Sequence, residues 1–155
     1  MRDLTLRGRV INFSTEDSSK LSFQFEQTLD TIVREVNDLS FSEDQIYGVR
    51  LCLIELLVNA FKHGNKKNSR KSIALEYKIT GGLCFPFGSL RVFYFFGSIT
   101  DEGDGFAFDK LPDPTLEENL EKVNGRGIHM VKAYSDELKF EHNGNGFRVS
   151  FVIYK

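Results

Sequence analysis

Glu55-Leu-Leu-Val-Asn-Ala-Phe-Lys-His63 is the stretch on which the reading of the fold turns. It lies in an apolar run, residues 51–61, whose spacing predicts a helix. At 3.6 residues per turn, Glu55 and Asn59 stand one turn apart and about 40° from each other around the axis, and His63 continues the same lane. Ile46, Val49, Leu53, Leu56, Leu57 and Ala60 form one apolar face, while Leu51, Ile54, Val58 and Phe61 cover much of the other side. A helix apolar nearly all round is normally buried. Its few polar groups are aligned, and an unpaired buried carboxylate is costly or surrenders its charge. The lane of Glu55 and Asn59 therefore has to face something polar. His63, at the helix end, reads as a cap or a surface contact.

Working outward, Ser42 is placed as an N-cap, with Gln45 three positions on completing a capping box. Before it, residues 22–39 carry Phe25, Leu29, Ile32, Val33 and Val36 at helical spacing, and residues 4–13 suit a first strand. After it, Gly64-Asn65 is a fair helix stop, and residues 66–71 form a basic loop read as a solvated turn. Residues 72–79 alternate as a strand, Gly81-Gly82 marks a turn, Cys84 falls in a loop, and residues 89–99 form a central strand. Residues 108–124, with Pro112 and Pro114, connect, with a short helix over 115–123. Gly125 opens another helix, to about Tyr134, and residues 138–141 and 147–154 close as a hairpin around Asn143-Gly-Asn-Gly. Short turns between strands and helices in separate blocks predict an α+β fold: a two-layer sandwich, its mixed, mostly antiparallel sheet covered by helices on one face. One domain is expected over residues 1–155.

Composition narrows the function. With 41% hydrophobic and 27% charged residues among 155, the chain is globular. A net charge of −2 leaves no basic excess for a phosphate backbone, which argues against general nucleic-acid binding. No run reaches membrane-spanning length, and the N-terminus has no apolar leader segment. Two cysteines make no disulfide framework. A cytoplasmic protein is expected.

Two further motifs follow the first. Asp101-Glu-Gly-Asp-Gly-Phe106 sits at the end of the central strand, where glycines alone would make a turn. A calcium loop is disfavoured, because Gly103 and Gly105 stand where oxygen ligands are needed. Gly125-Arg-Gly-Ile128 opens a helix, an arrangement that presents N–H groups to a phosphate.

Together and in this order, the three motifs resemble the ATP-binding module shared by DNA gyrase, heat-shock chaperone ATPases, sensor histidine kinases and MutL-type repair proteins. The set is most similar to the small bacterial anti-sigma factors that are serine/threonine-protein kinases. The resemblance spans the first helix to the last strand. It implies ATP (or ADP) with Mg²⁺ as ligands. Asn59 matches the Mg²⁺-binding asparagine, its neutral amide oxygen suited to a hard cation already shared with phosphates. Glu55 matches the catalytic base. Asp101 matches the carboxylate that accepts the adenine amino proton, with Gly103 and Gly105 letting backbone pass close to the base. Gly125, Arg126, Gly127 and Ile128 match the phosphate-wrapping segment.

The resemblance implies as partners an antagonist (anti-anti-sigma) protein bearing the acceptor serine or threonine, and a sigma factor, with a homodimer as a further expectation. Nucleic acid and membrane are not expected partners. One departure stands out. Relatives carry a Gly-Thr-Thr-like stretch before the last strand; here it is Gly144-Asn-Gly-Phe-Arg-Val149, where Asn145 or Arg148 would have to substitute for the missing threonine. No phosphoacceptor helix precedes the module, which argues against a sensor histidine kinase. A non-catalytic, nucleotide-dependent protein switch is the alternative. A structural interaction protein whose glycines only make turns ranks below both.

Overall fold

A computed structural model describes residues 3–84, 90–105, 126–144 and 146–155. In chain order they form β1 (Asp3–Ser14), α1 (Ser18–Asp38), α2 (Glu43–Asn59), a π-helical turn (Ala60–Gly64), β2 (Ser72–Cys84), β3 (Leu90–Asp101), α3 (Arg126–Tyr134), β4 (Glu137–Asn143) and β5 (Gly146–Tyr154). The proposed helix over 115–123 and Gly125 lie outside the described residues.

The helices start where side chains can satisfy their first N–H groups. Asp17 caps α1 by accepting from the Ser19 N–H at 3.1 Å. Ser42 caps α2 reciprocally: its hydroxyl accepts from Gln45 N–H at 3.2 Å, and its own N–H donates to Gln45 Oε1 at 2.8 Å. Glu43 and Asp44 add negative charge to the first turn, where the helix dipole favours it.

The strands form one sheet in the order β1-β2-β3-β5-β4, every described pairing antiparallel. Strand period two sorts its faces. Ile73, Leu75, Tyr77 and Ile79 of β2, Phe95 and Ile99 of β3, and Phe147, Val149, Phe151 and Ile153 of β5 point one way and are buried. Leu21, Phe25, Leu29, Ile32 and Val36 of α1 and Val49, Cys52, Leu53, Leu56 and Leu57 of α2 close over them as one core. The other sheet face carries Glu76, Lys78, Ser98 and Arg148. The expected two-layer α+β sandwich is the fold observed. Among the described residues no helix is long and apolar enough to cross a membrane.

Three local readings change. Gly81-Gly82 makes no turn: β2 runs straight through both glycines to Cys84, which therefore lies in a strand and not a loop. Gly81 pairs with Phe93, and a Cβ there would approach that ring to 2.8 Å. The missing side chain is filled by the neighbouring aromatic, so the strand continues. Second, the α-helical ladder ends at Asn59 rather than Gly64, and Asn65 N–H reaches five residues back to Ala60 O at 2.7 Å. Third, the outer side of α2 is only partly covered, since Leu51, Ile54, Val58, Glu55 and Asn59 are all half-buried.

The reciprocal cap on α2 should be measurable. Replacing Ser42 by Ala is expected to lower unfolding free energy by about 1 kcal/mol, read as a shift of the urea midpoint at unchanged slope.

Candidate functional site

The polar lane of α2 meets the start of α3. Gly127, in the first turn of α3, packs so tightly on Glu55 that a Cβ would collide with the Glu55 carboxylate and come within 3.7 Å of the Asn59 amide nitrogen. Burying Ile128 and Val131 in the core fixes this approach. The first turn of a helix has no intrahelical acceptors for its N–H groups, so Gly127 and Ile128 bring that turn's polar end to Glu55 and Asn59. The side chain of Ile128 itself is core. Arg126 is exposed at the helix start.

A second cluster forms where β3 ends. Asp101 is the last residue of the strand, shares the helix-facing side with Ile99, and is 8% exposed. Its Oδ1 accepts from Gly103 N–H at 2.7 Å. Gly64, at the end of the π turn, lies directly on its carboxylate: a Cβ on Gly64 would overlap both oxygens. Gly103 presses in turn on the Gly64 carbonyl, and Gly146 on the Asp101 carbonyl. Gly105 takes φ +77° under the Phe147 ring, a conformation and a space that suit glycine alone. Desolvation by burial pushes the Asp101 carboxyl upward; the Gly103 N–H and the Lys71 charge oppose it.

Asn65 joins this cluster to the surrounding chain. It is fully buried, its Nδ2 donates to Ser72 O at 2.8 Å, and its Oδ1 accepts from Glu102 N–H at 2.9 Å. Lys71 Nζ donates to Glu102 O at 2.7 Å, and Ser72 Oγ to Glu102 Oε1 at 2.7 Å.

The structure thus brings Glu55, Asn59 and Gly127 together, and Asp101, Gly103 and Gly105 together. The five-residue π turn is the only chain between Asn59 and Asn65. His63 is exposed on that turn. Arg148 is no phosphate ligand: it lies on the helix-free face, where its guanidinium donates to Glu76 Oε2 at 2.9 Å and to Ser98 Oγ at 3.0 Å. Period two puts it opposite Phe147, which faces the core. Asn145 and Gly125 lie outside the described residues. In the sequence Gly64-Asn65 reads only as a helix stop and Gly146 only as part of a hairpin turn, none of them as a site residue. An Asn after a Gly at a helix end is ordinarily a cap, and nothing in its spacing signals full burial.

The features fit a magnesium nucleotide: a half-buried carboxylate and amide facing a helix start, and a buried carboxylate whose one donor among the described residues is Gly103 N–H. Among those residues no group of three or more His, Cys, Asp or Glu forms an all-protein metal cage. A hard cation shared with phosphates needs only one or two protein ligands.

Residues 19–153 match the family model for the histidine kinase-like ATPase domain. A search of curated proteins gave no match.

Two predictions follow from the close contacts. A Cβ on Gly103 meets backbone, whereas one on Gly127 meets the mobile end of a glutamate. Gly103→Ala is therefore expected to cost roughly 2 kcal/mol or more and Gly127→Ala less than about 1, compared by urea denaturation. For Asp101, the folded pKa lies above the unfolded one. Between the two the folded state holds the extra proton, so stability falls as pH rises through that window and the penalty is absent below it. Asp101→Asn should remove that fall, visible as a melting midpoint at neutral pH equal to or above the wild type's.

Proposed function

Because the chain belongs to the histidine kinase-like ATPase domain family, we propose that it is an ATP- and Mg²⁺-binding anti-sigma regulator that phosphorylates an antagonist protein on serine or threonine. The observation that carries this reading is the seating of Gly127 against Glu55 and Asn59, a carboxylate and an amide brought to a helix start. Family membership supports ATP binding; the kinase activity and its partners rest on the resemblance of the three motifs.

In this reading Asp101 accepts a hydrogen bond from the adenine amino group. Its carboxylate is held in place by Gly103 N–H and by the backbone of Gly64, so little reorganisation is needed on binding. Asn59 supplies a neutral oxygen to Mg²⁺, which would offset phosphate charge. The N–H groups of the first turn of α3 take phosphate oxygens, aided by the helix dipole. Glu55 accepts the proton of the acceptor hydroxyl as its oxygen bonds to the γ-phosphorus and the bond to the ADP oxygen breaks. The partners are the antagonist protein and a sigma factor that the regulator sequesters, in a cytoplasmic setting and as a homodimer.

One observation favours the second reading, a nucleotide-dependent switch without transfer. Residues 144–149 hold no hydroxyl for a phosphate, and Arg148 is engaged with Glu76 and Ser98 on the far face.

Incubation with labelled ATP and candidate antagonists separates the two. Transfer that falls roughly 10²-fold or more in Glu55→Gln, with nucleotide affinity retained, is the outcome expected of the kinase. Asn59→Ala should abolish Mg²⁺-dependent retention of nucleotide. Calorimetric binding with no labelled partner identifies the switch, and loss of both binding and transfer in the wild type defeats either reading.

A further inference from the structure

Asn65 lies outside every motif of the sequence, yet it is fully buried and spends both ends of its side chain on backbone from two distant segments. Its Nδ2 holds the carbonyl of Ser72, the first residue of β2, and its Oδ1 holds the N–H of Glu102, the residue after Asp101. Its own N–H closes the π turn on Ala60 O at 2.7 Å. A single residue therefore ties the end of α2, the start of β2 and the end of β3. Gly64, immediately before it, is the residue that rests on the Asp101 carboxylate.

These contacts have a consequence for recognition. The groups of α2, Glu55 and Asn59, lie on one side of the π turn, and Asp101 lies against its other end. Each backbone bond to Asn65 is part-buried and ends on a fully buried side chain, where a lost partner leaves a polar group unsatisfied. Asn65 can make both bonds only with Glu102 and Ser72 in fixed positions, and Glu102 N–H is one peptide from the Asp101 carboxylate. From this geometry we infer that Asn65 is a positioning residue of the nucleotide site: it sets where the Asp101 carboxylate stands relative to Glu55 and Asn59, and so governs discrimination between adenine and guanine nucleotides. The inference rests on the nucleotide-binding reading above. Asn65 itself touches no nucleotide; it acts through the Glu102 backbone and Gly64.

The test is calorimetric titration of the full chain with Mg²⁺-ATP and Mg²⁺-GTP, well below the melting midpoint. The wild type should prefer ATP. Asn65→Ala should weaken ATP by about tenfold or more while leaving GTP nearly unchanged, so that the ratio of the two affinities collapses. A purely structural asparagine would lower the melting midpoint and leave that ratio intact in the folded protein, which would overturn the inference. If Asn65→Ala does not fold, the wild type decides by nuclear magnetic resonance. Saturating ATP should shift the Asn65 side-chain NH₂ and Glu102 N–H signals, and GTP should shift them less; equal or absent shifts overturn the inference. A wild type that binds neither nucleotide instead defeats the functional reading on which it stands.

Discussion

The carboxylate of Asp101 against the bare backbone of Gly64 is the contact from which the rest of the molecule takes its arrangement. The helical layer and the sheet are joined mainly by apolar packing, which is non-directional and tolerates sliding. Polar links such as Tyr77 Oη to Glu35 Oε2 and Gln45 Nε2 to Tyr154 O lie at their margins. A side chain at Gly64 would hold the end of α2 off the central strand. Without one, the two elements interlock at a single register, and Gly103 closes on the Gly64 carbonyl from the other side. Asp101 also sits between β2 and β5, opposite Ile73 and Phe147, so the contact is anchored in the middle of the sheet. Burial there strains its ionisation, and a ligand offering a donor to it would relieve the cost of desolvation.

Much of this was legible in the residues. The capping box at Ser42 and Gln45, the spacing of Phe25, Leu29, Ile32 and Val36, and the period-two run of Ile73, Leu75, Tyr77 and Ile79 each follow from local rules, and local rules hold where one face is buried. The failures share a physical cause: a partner distant in sequence. Gly81 reads as a turn until Phe93 is seen filling its empty side. Arg148 reads as a phosphate ligand until the sheet's pleat turns it toward Glu76 and Ser98. Asn65 reads as a helix cap until Ser72 and Glu102 are found on either end of its amide. Of the candidate site, the three motifs supplied the residues expected to act there, and the fold adds that Gly127 lies on Glu55 and Asn59.

The two readings of function differ in one respect that the fold makes concrete. Both need the Asp101 cluster and the start of α3; only the kinase needs Glu55 to work as a base. Glu55 is half-buried beside a glycine, with Cys52, three residues before it, and Leu56, the next residue, turned into the core. The neighbouring Cys52 is inert to this chemistry, because burial pushes its thiol up to about 12. The chemistry open to this face of α2 is that of a carboxylate and an amide.

The π turn at Ala60–Gly64 has a last consequence, for how the chain tolerates insertions and deletions. A π turn holds one residue more than the α-helical repeat it replaces. Deleting a single residue there would let the ladder run on regularly, a gain in local order. It would also remove the widened turn whose last residue, Gly64, rests on the Asp101 carboxylate, and with it the backbone path that carries Asn65 to Ser72 and Glu102. Local regularity and a correctly seated carboxylate are thus in competition at this point, and the surplus residue is the means by which the fold chooses the second.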